Sequence, residues 1–389
     1  MGKREAGKAA GEGAGGRPLL SLCVIARNEA KLLPRCLESV RGVADEIVLV
    51  DTGSTDETVA VAERYGARVF HRAWTGDLAA ARNEALRHAR GEWVLILDAD
   101  EALTPEAQRK LLSLLVDGRY AAYLVNIRSP LKQAAGPTAV INVLPRLFRN
   151  DPGLRQEGQW HERFPSLART GGQVGATDLV VEHLGYHADY VDQAAKRDRN
   201  LALLRQELAE RPDDPIALFH LGETLGLAGR LAEAADAYRR ALARPGMARG
   251  NAAAASRGLA NCLLGLGDCE GALQACREAA ALDEGFAAPR LLAAMAFCRL
   301  QRPAEAVAEL DAYLRLAGQA RPAAQRVLEY EFPPGLGLAL KAECLAALGR
   351  LDEAEAVFRE AVRRQPDSRE AILGLARLHV QRGGRRGEA

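Results

Sequence analysis

No apolar run in the 389 residues reaches the roughly 18–20 needed to span a bilayer, so no stretch reads as an integral membrane segment. A charge imbalance is also missing: 52 Lys and Arg stand against 51 Asp and Glu, a formal +1. There is then no global attraction to nucleic acid or to an anionic membrane. Residues 1–17 lack the apolar h-region of a secretory signal. They are rich in Gly, Ala and Lys and read as a disordered tail. The seven cysteines are odd in number, and no His accompanies Cys262, Cys269 and Cys276 at a zinc-like spacing. Free, packed thiols in a cytoplasmic protein are the expectation. No G-x-G-x-x-G follows any predicted strand, which argues against a dinucleotide-binding oxidoreductase. The glycine-rich phosphate loop of a nucleotidyltransferase is missing as well.

What is present begins with alternation. Apolar runs at 19–26, 45–50, 67–70 and 93–97 are separated by amphipathic stretches at 31–40, 58–65 and 78–89. Continuous β-branched and Leu-rich runs suit strands buried on both faces, and the stretches between them carry helical spacing. This β-α-β order with short connections predicts an α/β domain built on an open, mostly parallel sheet. Strands are expected again at 120–127, 140–148 and 179–184, with a polar loop over 150–178. The fourth run ends in W-V-L-I-L-D-A-D-E, residues 93–101, which places Asp98, Asp100 and Glu101 at a strand's C-terminal end. Such edges bind ligands in open α/β sheets. The alternative is that these acids cap the helix starting near Thr104-Pro105.

From about residue 190 the pattern is purely helical and repeats. Leu221, Gly222, Leu225, Gly229, Ala234, Tyr238 and Ala241 fit the tetratricopeptide spacing. Three further copies follow, and an insertion at 319–333 precedes the last. The division predicted is a tail over 1–17, an α/β domain over 18–190, a connecting helix over 191–212 and an all-α solenoid over 213–389. Residues 371–380 are expected to form a terminal helix covering the last repeat.

Four stretches carry a resemblance: S-L-C-V-I-A-R-N-E, E-I-V-L-V-D-T-G-S-T-D-E-T, A-A-A-R-N-E-A-L and G-E-W-V-L-I-L-D-A-D-E. In this order they resemble the nucleotide-sugar-binding half of glycosyltransferase family 2, an inverting family of the A-type, Rossmann-like fold. The bacterial subgroup with C-terminal tetratricopeptide repeats is the nearest likeness. R-L-F-R-N at 146–150, H-E at 161–162 and H-L-G-Y at 183–186 also resemble that subgroup.

The resemblance implies a nucleotide-sugar donor, taken here as uridine diphosphate-linked, and Mn²⁺ or Mg²⁺ as cofactor. Ala26, Arg27, Glu29, Asp51, Arg82 and Asp98 are then the donor-binding candidates. Asp51 would accept from the uracil N3–H and Glu29 from a ribose hydroxyl, the alternatives being an Asx-turn and a solvated cap. Arg82 would reach the diphosphate or else form a surface ion pair. Asp100, Asp98 and His183 are the metal candidates, with Asp100 the direct ligand. Asp98 alternatively contacts ribose, and His183 alternatively serves the core. Glu101 is left outside the ligand set as a residue that orients the loop. Inverting transfer needs a base, for which Glu162 is favoured over His161, beside Trp160. The acceptor would be a peptide, a protein or a glycan. The repeats would bind acceptor or partner, or self-associate. A competing reading is a scaffold whose transferase domain has lost catalysis.

Overall fold

The computed structural model describes residues 17–116, 119–131, 137–156, 173–185, 193–319 and 328–386. The chain starts with β1 (Leu20–Ala26), α1 (Leu33–Ser39), β2 (Glu46–Asp51), α2 (Thr58–Arg64), β3 (Arg68–His71), α3 (Leu78–His88) and β4 (Trp93–Asp98). It continues through β5 (Glu101–Leu103), α4 (Pro105–Leu115), β6 (Ala122–Pro130), β7 (Ala139–Arg149) and β8 (Val174–His183). These strands form one sheet in the order β3-β2-β1-β4-β7-β6-β8-β5. The β1–β2, β2–β3 and β1–β4 pairs are parallel, whereas β4–β7, β6–β7 and β5–β8 are antiparallel. The parallel half is what the β-α-β alternation predicts. The β5 strand is not: Glu101–Leu103 reads as a lead-in to a helix, and only its pairing with β8 makes it a strand.

Why β1 carries no polar alternation is clear from its two faces. Leu20, Leu22, Val24 and Ala26 pack with Leu33, Leu37, Val61, Ala62 and Leu111 from α1, α2 and α4. Cys23 and Ile25 point the other way, against Ala85 and Leu86 of α3 and Phe148 of β7. Each buried aliphatic side chain here contributes about 1.5–3 kcal/mol. Gly91 enters the same core so closely that a Cβ would lie 2.7 Å from the Ser21 amide nitrogen.

Beyond the sheet come α5 (Gln193–Glu210), then the helix pairs α6 (Pro215–Leu227) with α7 (Leu231–Leu242), α8 (Arg249–Gly265) with α9 (Cys269–Leu282), α10 (Ala287–Arg299) with α11 (Pro303–Ala317), and α12 (Leu336–Ala347) with α13 (Leu351–Arg364). A last helix, α14 (Arg369–Arg386), packs on α12 and α13. The ring of Tyr238 fills the space left by two glycines: a Cβ on Gly222 or Gly258 would come within 2.7 and 2.4 Å of it. Phe358 meets Gly374 and Tyr313 meets Gly337 in the same way. The repeats thus interlock by an aromatic residue seated on a missing side chain.

The insertion before the fourth pair supplies β9 (Leu328–Glu331), which pairs antiparallel with residues 139–142 of β7. Sequence spacing marks the insertion but not this strand. The reason is geometric: β4 accompanies β7 only over residues 147–149, and β9 takes the neighbouring position further along. Leu328 and Tyr330 pack with Val140 of the sheet and with the helices of the first two repeats. Arg257 of α8 stacks on the Tyr330 ring at 3.9 Å and donates to its hydroxyl at 2.9 Å. That hydroxyl donates in turn to Glu223 of α6 at 2.8 Å. Successive first helices touch one another, α6 with α8 and α8 with α10, so they line the inner side of the stack. The inner side at the first two repeats therefore carries the chain's own strand.

Candidate active site

The strand order reverses between β1 and β4, and the C-terminal ends of β1, β2 and β4 converge there. This is where an open α/β sheet offers a crevice. At the end of β1, Asn28 adopts a left-handed conformation, φ 58°, which Asn tolerates because its amide bonds locally. Its Oδ1 accepts from the Thr55 amide at 2.8 Å, and its own amide donates to Ser54 Oγ at 3.0 Å. The Glu29 amide donates to Thr58 Oγ1 at 2.8 Å, and Asp56 accepts from the Ala30 and Thr58 amides. The loops after β1 and β2 are thereby tied together. Ala26 spends its carbonyl on Thr52, Arg27 is exposed, and Glu29 is half-buried.

Asp51 closes β2 and is buried. It accepts from the Gly53 amide at 3.2 Å and the Ser54 amide at 3.1 Å, and it lies 3.3 Å from His71 Nδ1. Burial alone would raise its pKa; the Ser54 hydroxyl and amide, His71 and the Gly53 amide together hold it below the usual carboxylate range. The Asx-turn considered for this residue is present. Asp77, in turn, is the N-cap of α3, accepting from the Ala80 amide at 2.9 Å.

The third group is built from β4, α3 and β7. Arg82 of α3 is 4% exposed and donates to Asp98 Oδ1 at 2.5 Å. Arg146 of β7, also 4% exposed, donates from Nη2 to Asp98 Oδ2 at 3.2 Å and to Glu101 Oε1 at 2.9 Å. Glu101, 2% exposed, uses Oε2 to accept the Asp98 amide at 2.9 Å. Two guanidiniums thus meet two carboxylates, as buried charges require. Burial would push Asp98 up, but Arg82, Arg146 and His183 hold it well below the ordinary range. Glu101 is shifted up by burial and by the neighbouring Asp98, against the pull of Arg146.

Asp100 stands outside that quartet. Its Oδ2 lies 3.1 Å from His183 Nε2, and both side chains are largely but not wholly buried. His183 Nδ1 faces Ser129 Oγ at 2.9 Å, which sets the ring orientation. The β5–β8 ladder pairs Glu101 with His183, and the Leu184 amide donates to the Asp100 carbonyl at 3.0 Å. His183 therefore lies beside the turn that carries Asp98 and Asp100.

The structure brings Asp98, Asp100, His183 and Arg82 together, with Asp51 and Glu29 on the adjoining strand ends. Glu162 and His161 lie outside the described residues, as does Trp160. Their segment follows Gln156, whose backbone is held on both sides by the Asn83 amide at 2.9 Å. Arg146, Ser129 and Asn83 are the residues that sequence reasoning missed. A signal existed for the first: Arg146 opens the R-L-F-R-N stretch, in a chain with three acids at another strand's end.

A model of glycosyl transferase family 2 matches residues 21–169, and two tetratricopeptide-repeat models match residues 187–248 and 337–378. The chain is 38% identical over 219 residues to a TPR repeat-containing protein of Synechococcus elongatus, covering 54% of this chain and 53% of that one. It is 25% identical over 227 residues to the SPbeta prophage-derived glycosyltransferase SunS of Bacillus subtilis, covering 58% and 53%. An uncharacterized glycosyltransferase of Rickettsia bellii is 35% identical over 154 residues, covering 39% and 49%. The chain spans about half the length of the curated relatives it matches. With the sheet, the crevice and the repeats in place, the chain carries a glycosyltransferase family 2 domain followed by tetratricopeptide repeats.

Proposed function

We propose that this chain transfers a sugar from a nucleotide-sugar donor, uridine diphosphate-linked, to a nucleophile on a peptide, protein or glycan, with inversion and with a divalent cation. The observation that carries the reading is the gathering of Asp51, Asp98, Asp100 and His183 at the strand ends flanking the switch point, within a family 2 domain.

The donor set suits Mn²⁺ or Mg²⁺. Among the described residues no cluster of three or more His, Cys, Asp or Glu ligands is formed, but such ions are held by one or two protein groups plus substrate phosphates. Asp100 and His183 face each other at 3.1 Å with the ring oriented from behind by Ser129, and they would hold it. When bound, the cation supplies neutralisation of the charge that grows on the leaving diphosphate. Asp98, already engaged by two guanidiniums, is proposed to orient the turn or meet ribose rather than to lead the metal shell. Arg82 is proposed to act through Asp98, since its guanidinium is turned onto that carboxylate. Asp51 and Glu29 would read the uracil and ribose, with Ala26 and Arg27 shaping the same pocket wall. Glu162 is the proposed base, ahead of His161: Glu162→Gln should lower acceptor transfer by about 100-fold while donor binding persists, and full transfer would remove it from the role.

Incubation with a panel of nucleotide sugars and Mn²⁺ tests the reading. Nucleotide release from a uridine-linked donor is expected. No release from any donor, together with no donor binding by calorimetry, overturns it. The repeats are proposed to present an acceptor or partner, or to self-associate.

A further inference from the structure

We propose that Arg146 is a positioning residue: by bridging Asp98 and Glu101 it sets the turn between them so that the Asp100 carboxylate stands opposite His183. What the Asp100–His183 pair does rests on the transferase reading; that Arg146 sets its geometry does not.

The contacts form a closed ring. Arg146 Nη2 reaches both the Asp98 carboxylate and the Glu101 carboxylate, and the second oxygen of Glu101 returns to the Asp98 amide. Residues 98 and 101 are therefore fixed to each other, and residues 99 and 100 have to bulge from that fixed base. Glu101 is also the ladder partner of His183. Its placement thus determines how far Asp100 lies from the imidazole.

The anchor is rigid. Arg146 precedes Leu147 and Phe148, both fully buried, and these pair with Leu95 and Val94 of β4. A side chain projected from a central strand holds geometry better than one on a loop. Its orientation is set by the two carboxylates at the expense of its other donors: among the described residues, Nε and Nη1 are buried without a hydrogen-bond partner. Such unpaired donors are costly, so a guanidinium placed only for stability would be expected to use more of its edge. Charge adds a second reason. Asp98, Asp100 and Glu101 put three acids into four residues, and Arg146 stands with Arg82 and the His183 ring against them.

The test uses the full chain and three proteins: wild type, Arg146→Lys, and the double variant Arg146→Met with Glu101→Gln. The double variant removes both buried charges, so neither is stranded. Amide hydrogen exchange over residues 98–101 and Mn²⁺ affinity in the presence of uridine diphosphate are read for each. In both variants the 98–101 amides should exchange at least about tenfold faster than wild type, with the amides of β1 and β2 unchanged. Mn²⁺ binding should weaken by about 10–100-fold, the usual penalty for losing an outer partner of a metal ligand. A folded variant with wild-type exchange at 98–101 and wild-type Mn²⁺ affinity overturns the proposal. A purely structural Arg146 would lower the melting temperature and leave Mn²⁺ affinity in the folded protein untouched, which also overturns it. If the double variant does not fold, Arg146→Lys, which keeps the charge, gives the same two readings. If wild type itself binds neither Mn²⁺ nor uridine diphosphate, the transferase reading fails, and the exchange measurement still decides whether Arg146 sets the turn.

Discussion

At the edge of the sheet, Arg82 and Arg146 share Asp98 and Glu101. On the inner side of the repeats, Arg257 shares Glu223 with the hydroxyls of Tyr238 and Tyr330. Both clusters bury arginine against carboxylate, and both join elements far apart in sequence. They differ in what they leave over. The sheet cluster neutralises itself and leaves a further acid, Asp100, turned to a histidine at a partly open edge. In the repeat cluster the single carboxylate is wholly engaged by the arginine and the two phenols, and the result is attachment: β9 is held onto α6 and α8. Two similar sets of charges thus leave an acid facing a histidine at a partly open edge in one place and hold a docked strand in the other.

This comparison can be broken from the repeat side first. Arg257→Met leaves the part-buried Glu223 carboxylate with two phenol donors but without its buried arginine partner. A loss of about 3–5 kcal/mol is expected, the usual cost of breaking a buried pair by removing one partner. Chemical denaturation should show it, together with earlier exposure of the β7–β9 pairing by hydrogen exchange. A loss under about 1 kcal/mol would mean that Arg257 is not the clamp.

Tyr330→Phe is gentler. The ring still stacks under Arg257, and the hydroxyl's bonds to Arg257 and Glu223, at 2.9 and 2.8 Å, disappear. A loss of about 1–3 kcal/mol is expected, because bonds to charged groups exceed neutral ones. Exchange should rise over 139–142 and 328–331 and stay unchanged at β1. Equal protection in the variant would remove the hydroxyl from the attachment.

The smallest effect lies at the sheet's other strand end. Asp51 has its pKa depressed by Ser54, His71 and Gly53. Its contribution to stability is present above its unfolded pKa, about 3.9. That contribution is lost as pH falls through the lower folded value. Wild type should therefore exceed Asp51→Asn in stability near pH 6, and the gap should shrink as pH drops below about 4. A gap that widens in acid would show that the depressed state is not what Asp51 contributes.

Much of the sheet, and the acids at its strand ends, was legible in the residues. The runs at β1, β2 and β4 are apolar without alternation because both faces are covered, and the acids at their ends are visible as soon as the strands are recognised. The repeats were legible for a related reason: Gly222 and Tyr238 have to recur at a fixed spacing if ring and gap are to meet. β5 and β9 were not legible. Three and four residues carry too little periodicity to declare a strand, and each exists because a partner strand lies alongside. Arg146 escaped for another reason. Its role depends on a register between β4 and β7 that a single sequence does not state. Asp51 shows a further limit: a pattern taken for a ligand also suits an Asx-turn, and the turn is now visible in its hydrogen bonds.

Asp100 facing His183 is the centre of the proposed site, and its most direct test is nucleotide release from a uridine-linked donor, titrated with Mn²⁺, in wild type and in Asp100→Ala. Wild type should respond to Mn²⁺ with saturation, and Asp100→Ala should lose at least about 100-fold in rate, as removal of a group that stabilises transition-state charge does. Release in Asp100→Ala at the wild-type rate, with the same dependence on Mn²⁺, would contradict it.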